Sequence, residues 1–412
     1  MMPTILIVTT TRWVSLARLA MSLANSGCIV DAVCPSRQPI TLVSALRKAY
    51  PYLALSPIAC IEDAIASAKP ALIIPGDDLA TRHLHRLYFR EKSRGKYGEF
   101  VCSLIERSLG SPESFPIVYA RTQVMKLAQE MGVRVPKTEV IAKEGDLAKW
   151  ADRFGFPAVL KADGSYGGEG VRIVQTLEEA KRAFHTVKAP PHPIRAMKRA
   201  IVDQDMTLVL PTLLRRKSVV NAQSFVAGRE ATSLAACWKG TVLGVLHLEV
   251  INKQDALGPA TVLRLIANAD MSTAAEKMAR RLNLSGLHGF DFMLESQTGN
   301  AYLIEINPRA TQIGHLRLGP GRDLTAALRA AVCGEPVQEA PKVTENDTIA
   351  LFPHEWKRNP ASAFLRTGYH DVPWEEPELI RVLVRKSKNW SAWQIQRKNW
   401  LAMFSADRLP RL

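Results

Sequence analysis

Apolar residues fall in short runs separated by amphipathic stretches along the first part of the chain. Residues 5–9 read ILIVT, a β-branched run, and apolar positions at helical spacing then extend over 14–26 and stop at Gly27. Residues 28–34, CIVDAVC, form a second run, and 70–78, PALIIPGDD, repeat the design of an apolar run leading into a polar loop. Strands alternating with helices predict a parallel α/β sheet over roughly the first 110 residues. The first loop, TTTRWVS, has no glycine, so it is not a dinucleotide fingerprint. Asp77 and Asp78 follow a strand, where open sheets place ligand-facing loops; a helix cap accounts for them equally well.

Later in the chain the apolar runs pair up. Residues 156–174, FPAVLKADGSYGGEGVRIV, read as two strands, 158–161 and 171–174, around a loop that holds Gly164, Gly167, Gly168 and Gly170. Such a loop can lay backbone N–H groups against phosphate oxygens, with Lys161 at its base as a point charge. It is neither a Walker loop, which needs Gly-Lys-Ser/Thr, nor a Rossmann turn, because a strand follows the glycines. Alone, a flexible turn explains it as well.

Residues 288–309, HGFDFMLESQTGNAYLIEINPR, predict strand, turn, strand. Regular alternation places Asp291, Met293 and Glu295 on one face of the first strand. On the second it groups Leu303, Glu305 and Asn307 on one face and Tyr302, Ile304 and Ile306 on the other. With residues 296–300 as the loop, Glu295 pairs with Ala301 and Asp291 falls opposite Glu305. Facing carboxylates repel, and a divalent cation between them removes the cost. Two carboxylates and an amide are oxygen ligands that suit Mg²⁺ or Mn²⁺ rather than zinc. A solvent-facing polar hairpin is the structural alternative. Arg309, just past the strand, and the phosphate-type loop upstream favour the metal.

Composition narrows the class. The chain has 412 residues, 47% apolar and 23% charged, which is globular and sufficient for two or three domains. GSPESFPIV at 110–118 and the polar, proline-bearing stretch near 335–345 divide it into an N-terminal α/β domain (1–112), a central domain (113–335) and a basic, Trp-rich C-terminal extension (336–412). A net charge of +15 suggests a polyanionic partner, yet Lys and Arg are dispersed, and no zinc-finger or RNP-type signature accompanies them, which argues against nucleic acid. Six cysteines without a CxxC argue against a zinc site or disulfide framework and for a cytoplasmic protein. The N-terminus reads as strand, loop and helix rather than a signal peptide, and no run would span a bilayer. In the tail, Trp390, Trp393, Trp400 and Phe404 fall at near-helical spacing beside Lys388, Arg397 and Lys398. Packing on the protein or on a second copy is the favoured reading; contact with a membrane surface is the other.

Taken in order, these parts resemble the ATP-grasp superfamily, in particular its carboxylate–amine (or carboxylate–thiol) ligases. The resemblance covers residues 113–335, and the first domain is similar to the Rossmann-like, pre-ATP-grasp domain that precedes such modules. It implies an α/β and α+β architecture with an ATP-grasp fold at its centre. It also implies ATP and Mg²⁺ (or Mn²⁺), held by Arg121, Lys161, Gly167 and Gly168 at the phosphates and by Gln223, Ser224, Phe225, Val226 and Glu230 at the adenosine. Asp291, Glu305 and Asn307 would be metal ligands, with Arg309 and Arg264 on the transferring phosphoryl group. Two positions depart from the pattern. Arg121 stands where a Lys is usual, keeping the charge and changing the geometry, and Gln223 stands where an acidic residue is frequent. The implied reaction joins a small-molecule carboxylate to an amine through an acyl-phosphate, releasing ADP and phosphate. A kinase-like phosphotransferase and a non-catalytic nucleotide-binding regulator are the alternatives on the same scaffold. Lys253 and His315 lie within reach of a substrate by the same reasoning, and an ordinary polar role suits each as well.

Overall fold

The computed structural model describes residues 2–163, 170–198, 208–215, 217–256, 258–338 and 340–385. Gly167 and Gly168 lie outside the described residues, as does the tryptophan face at 390–404. The chain divides into two compact units, Met1–Glu249 with Ile266–Glu345, and Val250–Leu265 with the residues from Asn346 onward.

In the first unit the β-branched runs form a parallel sheet from β1 (Thr4–Val8), β2 (Ile29–Cys34), β3 (Leu46–Pro51) and β4 (Leu72–Pro75), in the order β3-β2-β1-β4. β1 is central, pairing Ile7 with Ala32 on one side and with Ile74 on the other. It is buried on both faces, which is why it reads as a continuous apolar run. The helix Val14–Asn25 follows β1 and buries Leu16, Leu19 and Leu23 along one stripe. The helix Asp78–Ser93 follows β4, capped by Asp77, whose carboxylate accepts from Ala80 N at 2.8 Å.

Next come β5 (Thr138–Ile141), β6 (Ala158–Ala162), β7 (Val171–Val174) and β8 (Val220–Ser224), an antiparallel sheet ordered β5-β8-β6-β7. Alternation sends Leu160 and Ala222 onto Trp150 and Phe184, and gives Lys161, Asn221 and Gln223 to the opposite face.

The third sheet of this unit uses β9 (Gly228–Trp238) and β10 (Thr241–Lys253). After β11 (Ala260–Leu265), which belongs to the second unit, it continues with β12 (Gly286–Glu295) and β13 (Ala301–Asn307). The order is β13-β12-β9-β10. One face packs Phe290, Phe292, Leu303 and Ile306 against Met271, Ala275 and Met278 of the helix Ala269–Leu282. The other face carries Thr232, Asp291, Glu305 and Asn307.

The hairpin departs from regular alternation. Leu294, not Glu295, pairs with Ala301, and a bulge at Ile304 then restores the pairing of Asp291 with Glu305. Leu303 therefore joins Ile306 in the core instead of sharing the face of Glu305 and Asn307.

In the second unit β11 pairs antiparallel with β14 (Thr348–Leu351), which pairs in parallel with β15 (Tyr369–Asp371). The buried Glu355 accepts from Thr261 Oγ1 at 2.7 Å and from Arg358 Nη2 at 2.6 Å, beside the buried Trp356. Among the described residues no helix is long and apolar enough to cross a membrane.

Candidate functional site

The polar face of the β12–β13 hairpin is a dense cluster of charge. Asp291 and Glu305 are register partners. Asp291 accepts from Thr232 Oγ1 and from Asn307 Nδ2, each at 2.8 Å. Arg121, the first residue of the helix Arg121–Glu130, donates Nη2 to Glu305 Oε1 at 2.6 Å and Nη1 to the Ala162 carbonyl at 3.3 Å. The same guanidinium lies 3.8 Å from Asp163 Oδ1, which also accepts from Asn221 Nδ2 at 2.7 Å. One arginine thus ties the end of β6 to strand β13.

Burial gives these groups their electrostatic character. Desolvation, then the facing Glu305, pushes the Asp291 carboxyl up to about 6. Burial would raise Glu305 too, but Arg121 and Lys161 outweigh it and hold that carboxyl below its ordinary value. Lys161, 7% exposed, is lowered to about 8 by burial and by Arg121, against the pull of Glu305, Asp291 and Glu230. Two carboxylates facing each other with the field of two cations and an amide beside them suit a hard divalent cation. Among the described residues no group of three His, Cys, Asp or Glu side chains could hold a metal. Two carboxylates and an amide are the kind of set that Mg²⁺ completes with water and phosphate oxygens. Asn307 presents its amide nitrogen to Asp291, so ligation through its oxygen needs that side chain to turn.

Past β13 the chain returns to the parallel sheet, where Ala310 N donates to the Pro75 carbonyl at 3.0 Å. Arg309 is thereby set at the ends of β1 and β4. Its Nε lies 3.2 Å from Asp78 Oδ1, its Nη2 is 3.4 Å from Asn307 Oδ1, and its guanidinium sits 5.4 Å from the Trp13 ring centroid. Of the pair that follows β4, Asp77 is the helix cap and Asp78 the partner of Arg309.

At the other end of the sheet face, Gln223 is buried and donates Nε2 to Thr138 Oγ1 at 3.1 Å. Ser224 N and Phe225 N donate to the carbonyls of Lys137 (2.9 Å) and Pro157 (3.3 Å), which leaves other main-chain groups around Val226 to meet a base edge. Glu230 is exposed on β9 opposite Met293, on the face of Asp291. The structure brings together Arg121, Lys161, Asp291, Glu305, Asn307 and Arg309. Arg264 is exposed on β11 opposite Thr348, in the second unit. Reading the sequence missed Thr232, Asp163, Asn221 and Trp13. Asp163 follows Lys161 by two residues and was within the glycine stretch; the others carry no local signal.

Residues 120–315 match the family model for the carbamoyl-phosphate synthase L chain ATP-binding domain. The arginine-specific carbamoyl phosphate synthase large chain of Bacillus subtilis is 22% identical over 48% of this chain and 17% of its own length. Acetyl-CoA carboxylase 1 of Arabidopsis thaliana is 26% identical over 46% of this chain and 8% of its own. The chain thus spans a fifth or less of these curated relatives. Among solved structures, the biotin carboxylase domain of Hydrogenobacter thermophilus 2-oxoglutarate carboxylase superposes with a TM-score of 0.58 at 16% identity, covering 81% of this chain and 70% of that one. N5-carboxyaminoimidazole synthetase of Staphylococcus aureus gives 0.56 at 15%, covering 82% and 78%. The L-amino acid ligase of Bacillus licheniformis gives 0.55 at 13%, covering 80% and 75%.

Proposed function

We propose, since the chain belongs to the ATP-grasp superfamily, that it is an ATP- and Mg²⁺-dependent ligase. It would activate a carboxylate as an acyl-phosphate and pass the acyl group to an amine. In the first step a carboxylate oxygen bonds to the γ-phosphorus of ATP and the bond to ADP breaks. In the second the amine nitrogen bonds to the acyl carbon, phosphate leaves with the electron pair, and the amine gives up a proton. The observation that carries this reading is the single face that holds Asp291, Glu305 and Asn307 between Lys161, Arg121 and Arg309.

A carboxylate approaching a polyanion meets like-charge repulsion, so positive charge must stand where negative charge gathers. Asp291, Glu305 and Asn307 would hold a divalent cation, which would supply part of that positive charge. Lys161 and Arg121, both nine-tenths buried, would face the ground-state phosphates in a setting of low screening. Arg309 would neutralise the phosphoryl group in transfer, kept in place by Asp78 and Trp13. A small amine and a small carboxylate are the implied partners, and a cytoplasmic setting agrees with six free cysteines.

Isothermal titration of ATP with and without Mg²⁺, on the wild type and on a Glu305→Ala, Asn307→Ala double variant, tests the site. Mg²⁺-dependent binding in the wild type, weakened at least tenfold in the variant, is the expected result. Absence of ATP binding in both would sink the reading.

A further inference from the structure

In the order β3-β2-β1-β4 the chain winds away from β1 on one side and returns on its other side for β4. Open sheets bind ligands outside the carboxyl ends of the strands where winding reverses. The two loops at that point are residues 9–13 and the start of the helix Asp78–Ser93. They are joined through Asp77, whose carboxylate accepts from Thr9 Oγ1 at 2.9 Å, Thr10 N at 2.6 Å and Thr10 Oγ1 at 2.8 Å. The crevice borders the nucleotide-type site, because Arg309 lies over Trp13 and pairs with Asp78, and Thr81 Oγ1 donates to the Pro308 carbonyl at 3.1 Å.

The unsatisfied groups of this crevice are of one kind. Both of its carboxylates are spent, Asp77 on the threonines and its helix and Asp78 on Arg309. Arg82 stands one turn after Asp78, on the same side of the helix. It is half-buried, and among the described residues its partner is the Tyr119 ring at 4.8 Å, with no carboxylate in ion-pair range. It shares the first turns of that helix with Asp78 and Thr81, which contact Arg309 and the Pro308 carbonyl. Arg12, between Thr11 and Trp13, is also half-buried, and among the described residues it has no ion-pair partner. Thr11 and Ser15, each 7% exposed, hold hydroxyls with no hydrogen-bond partner. The twelve-residue helix Val14–Asn25 starts without a side-chain cap and without an acidic residue in its first turn. Two guanidinium groups, two hydroxyls and a set of first-turn N–H groups are all able to donate. A ligand that answers them must accept hydrogen bonds and carry negative charge.

We propose that the crevice at the ends of β1 and β4 binds an anionic group, a carboxylate or a phosphate, carried by a substrate of the ligase, with Arg82 and Arg12 as its counter-charges. The inference rests on the ligase reading and narrows its substrates to molecules with an anionic handle apart from the reacting carboxylate. Such a handle fixes the reacting end against Arg309 and supplies binding energy away from the chemistry.

The test uses the full chain saturated with Mg²⁺ and the imido analogue of ATP, which fills the γ-phosphate position. It is titrated calorimetrically with inorganic phosphate and, separately, with succinate at matched ionic strength. Saturable binding of one of the two identifies the anion. Arg82→Gln and Arg12→Gln should each weaken it at least tenfold, Arg82→Lys should keep part of it, and Arg86→Gln, the same charge change at an exposed position of the same helix, should leave it intact. The nucleotide analogue should bind all these variants alike, which reports that they are folded. If neither anion binds the nucleotide-loaded wild type, or if Arg82→Gln and Arg12→Gln bind as the wild type does, the proposal is overturned while the ligase reading stands. If the analogue itself does not bind, the ligase reading fails, and this inference with it.

Discussion

Arg121 already holds Glu305 Oε1 at 2.6 Å, an oxygen that a cation bound between the two carboxylates would also need, which makes this arginine the residue whose loss is most telling. Arg121→Ala leaves Asp291 and Glu305 facing each other with the main charge that neutralises Glu305 removed. Breaking a buried pair costs about 3–5 kcal/mol; Glu305 keeps 34% of its side-chain surface, so the expected loss is nearer 2 kcal/mol. Added Mg²⁺ should raise the thermal midpoint of this variant more than that of the wild type, since the cation takes over the vacated role. An equal shift in both would mean that the cation does not bind between the two carboxylates. Gly289 makes a second test at this scale. It pairs with Asn307, and a Cβ built there meets Thr311 Cγ2 at 2.6 Å and Asn307 Cβ at 3.2 Å. Gly289→Ala should therefore displace Asn307 and weaken Mn²⁺ binding, read by electron paramagnetic resonance, about tenfold with the fold retained. Asn307, Glu305 and Arg309 were legible in the sequence because polar residues interrupt an apolar strand. Thr232 and Asn221 were not, since neither sits in a local pattern that points to a partner, and only the third dimension brings them to Asp291 and Asp163.

The hairpin shows what alternation can and cannot carry at the level of an element. Asp291 does face Glu305, but the route there differs from a regular ladder by two offsetting steps, a shorter run to the turn and an extra residue at Ile304. Neither step is announced by a glycine or proline at the bulge. The consequence is that Leu303, not Ile304, is the core residue: Leu303 is 0% exposed whereas Ile304 is only partly buried. Leu303→Asn should cost about 2–4 kcal/mol in chemical denaturation, and Ile304→Asn less than 1 kcal/mol. A regular hairpin predicts the reverse order. The parallel sheet was easier to read, because fully buried strands are continuous β-branched runs and their loops begin with recognisable caps such as Asp77. The glycine loop was legible as composition; its strands β6 and β7 and the antiparallel sheet around them follow from the apolar runs on either side.

At the scale of the whole molecule, buried histidines make stability depend on pH in a way that no single site would. His83, His247 and His288 are lowered to about 4, and His85 to about 3, in each case chiefly by burial. All four belong to the first unit. Above the ordinary value of 6.5 both folded and unfolded chains hold these rings neutral, and they contribute nothing to the pH dependence. As the pH falls through 6.5 the unfolded chain takes up protons that the folded chain refuses until about 4, so stability drops across that window. Asp291 acts in the opposite sense. Its folded value of about 6 against an ordinary 3.8 means that the folded chain binds the proton first, which favours folding as the pH falls between the two. These four rings, joined by His354 and His370 of the second unit, which burial also lowers to about 4, outweigh Asp291 and the likewise raised Asp77 and Asp163. The urea midpoint should therefore fall between pH 7 and pH 5, and His247→Gln, which removes one of the four while keeping a partner for Ser233 and Ser272, should make the slope shallower. A midpoint that holds steady over this range would show that the rings charge in place, and that the helix Asp78–Ser93 and the central sheet are less tightly closed around them than the contacts of His85 with Phe115 and His288 with Ser285 require.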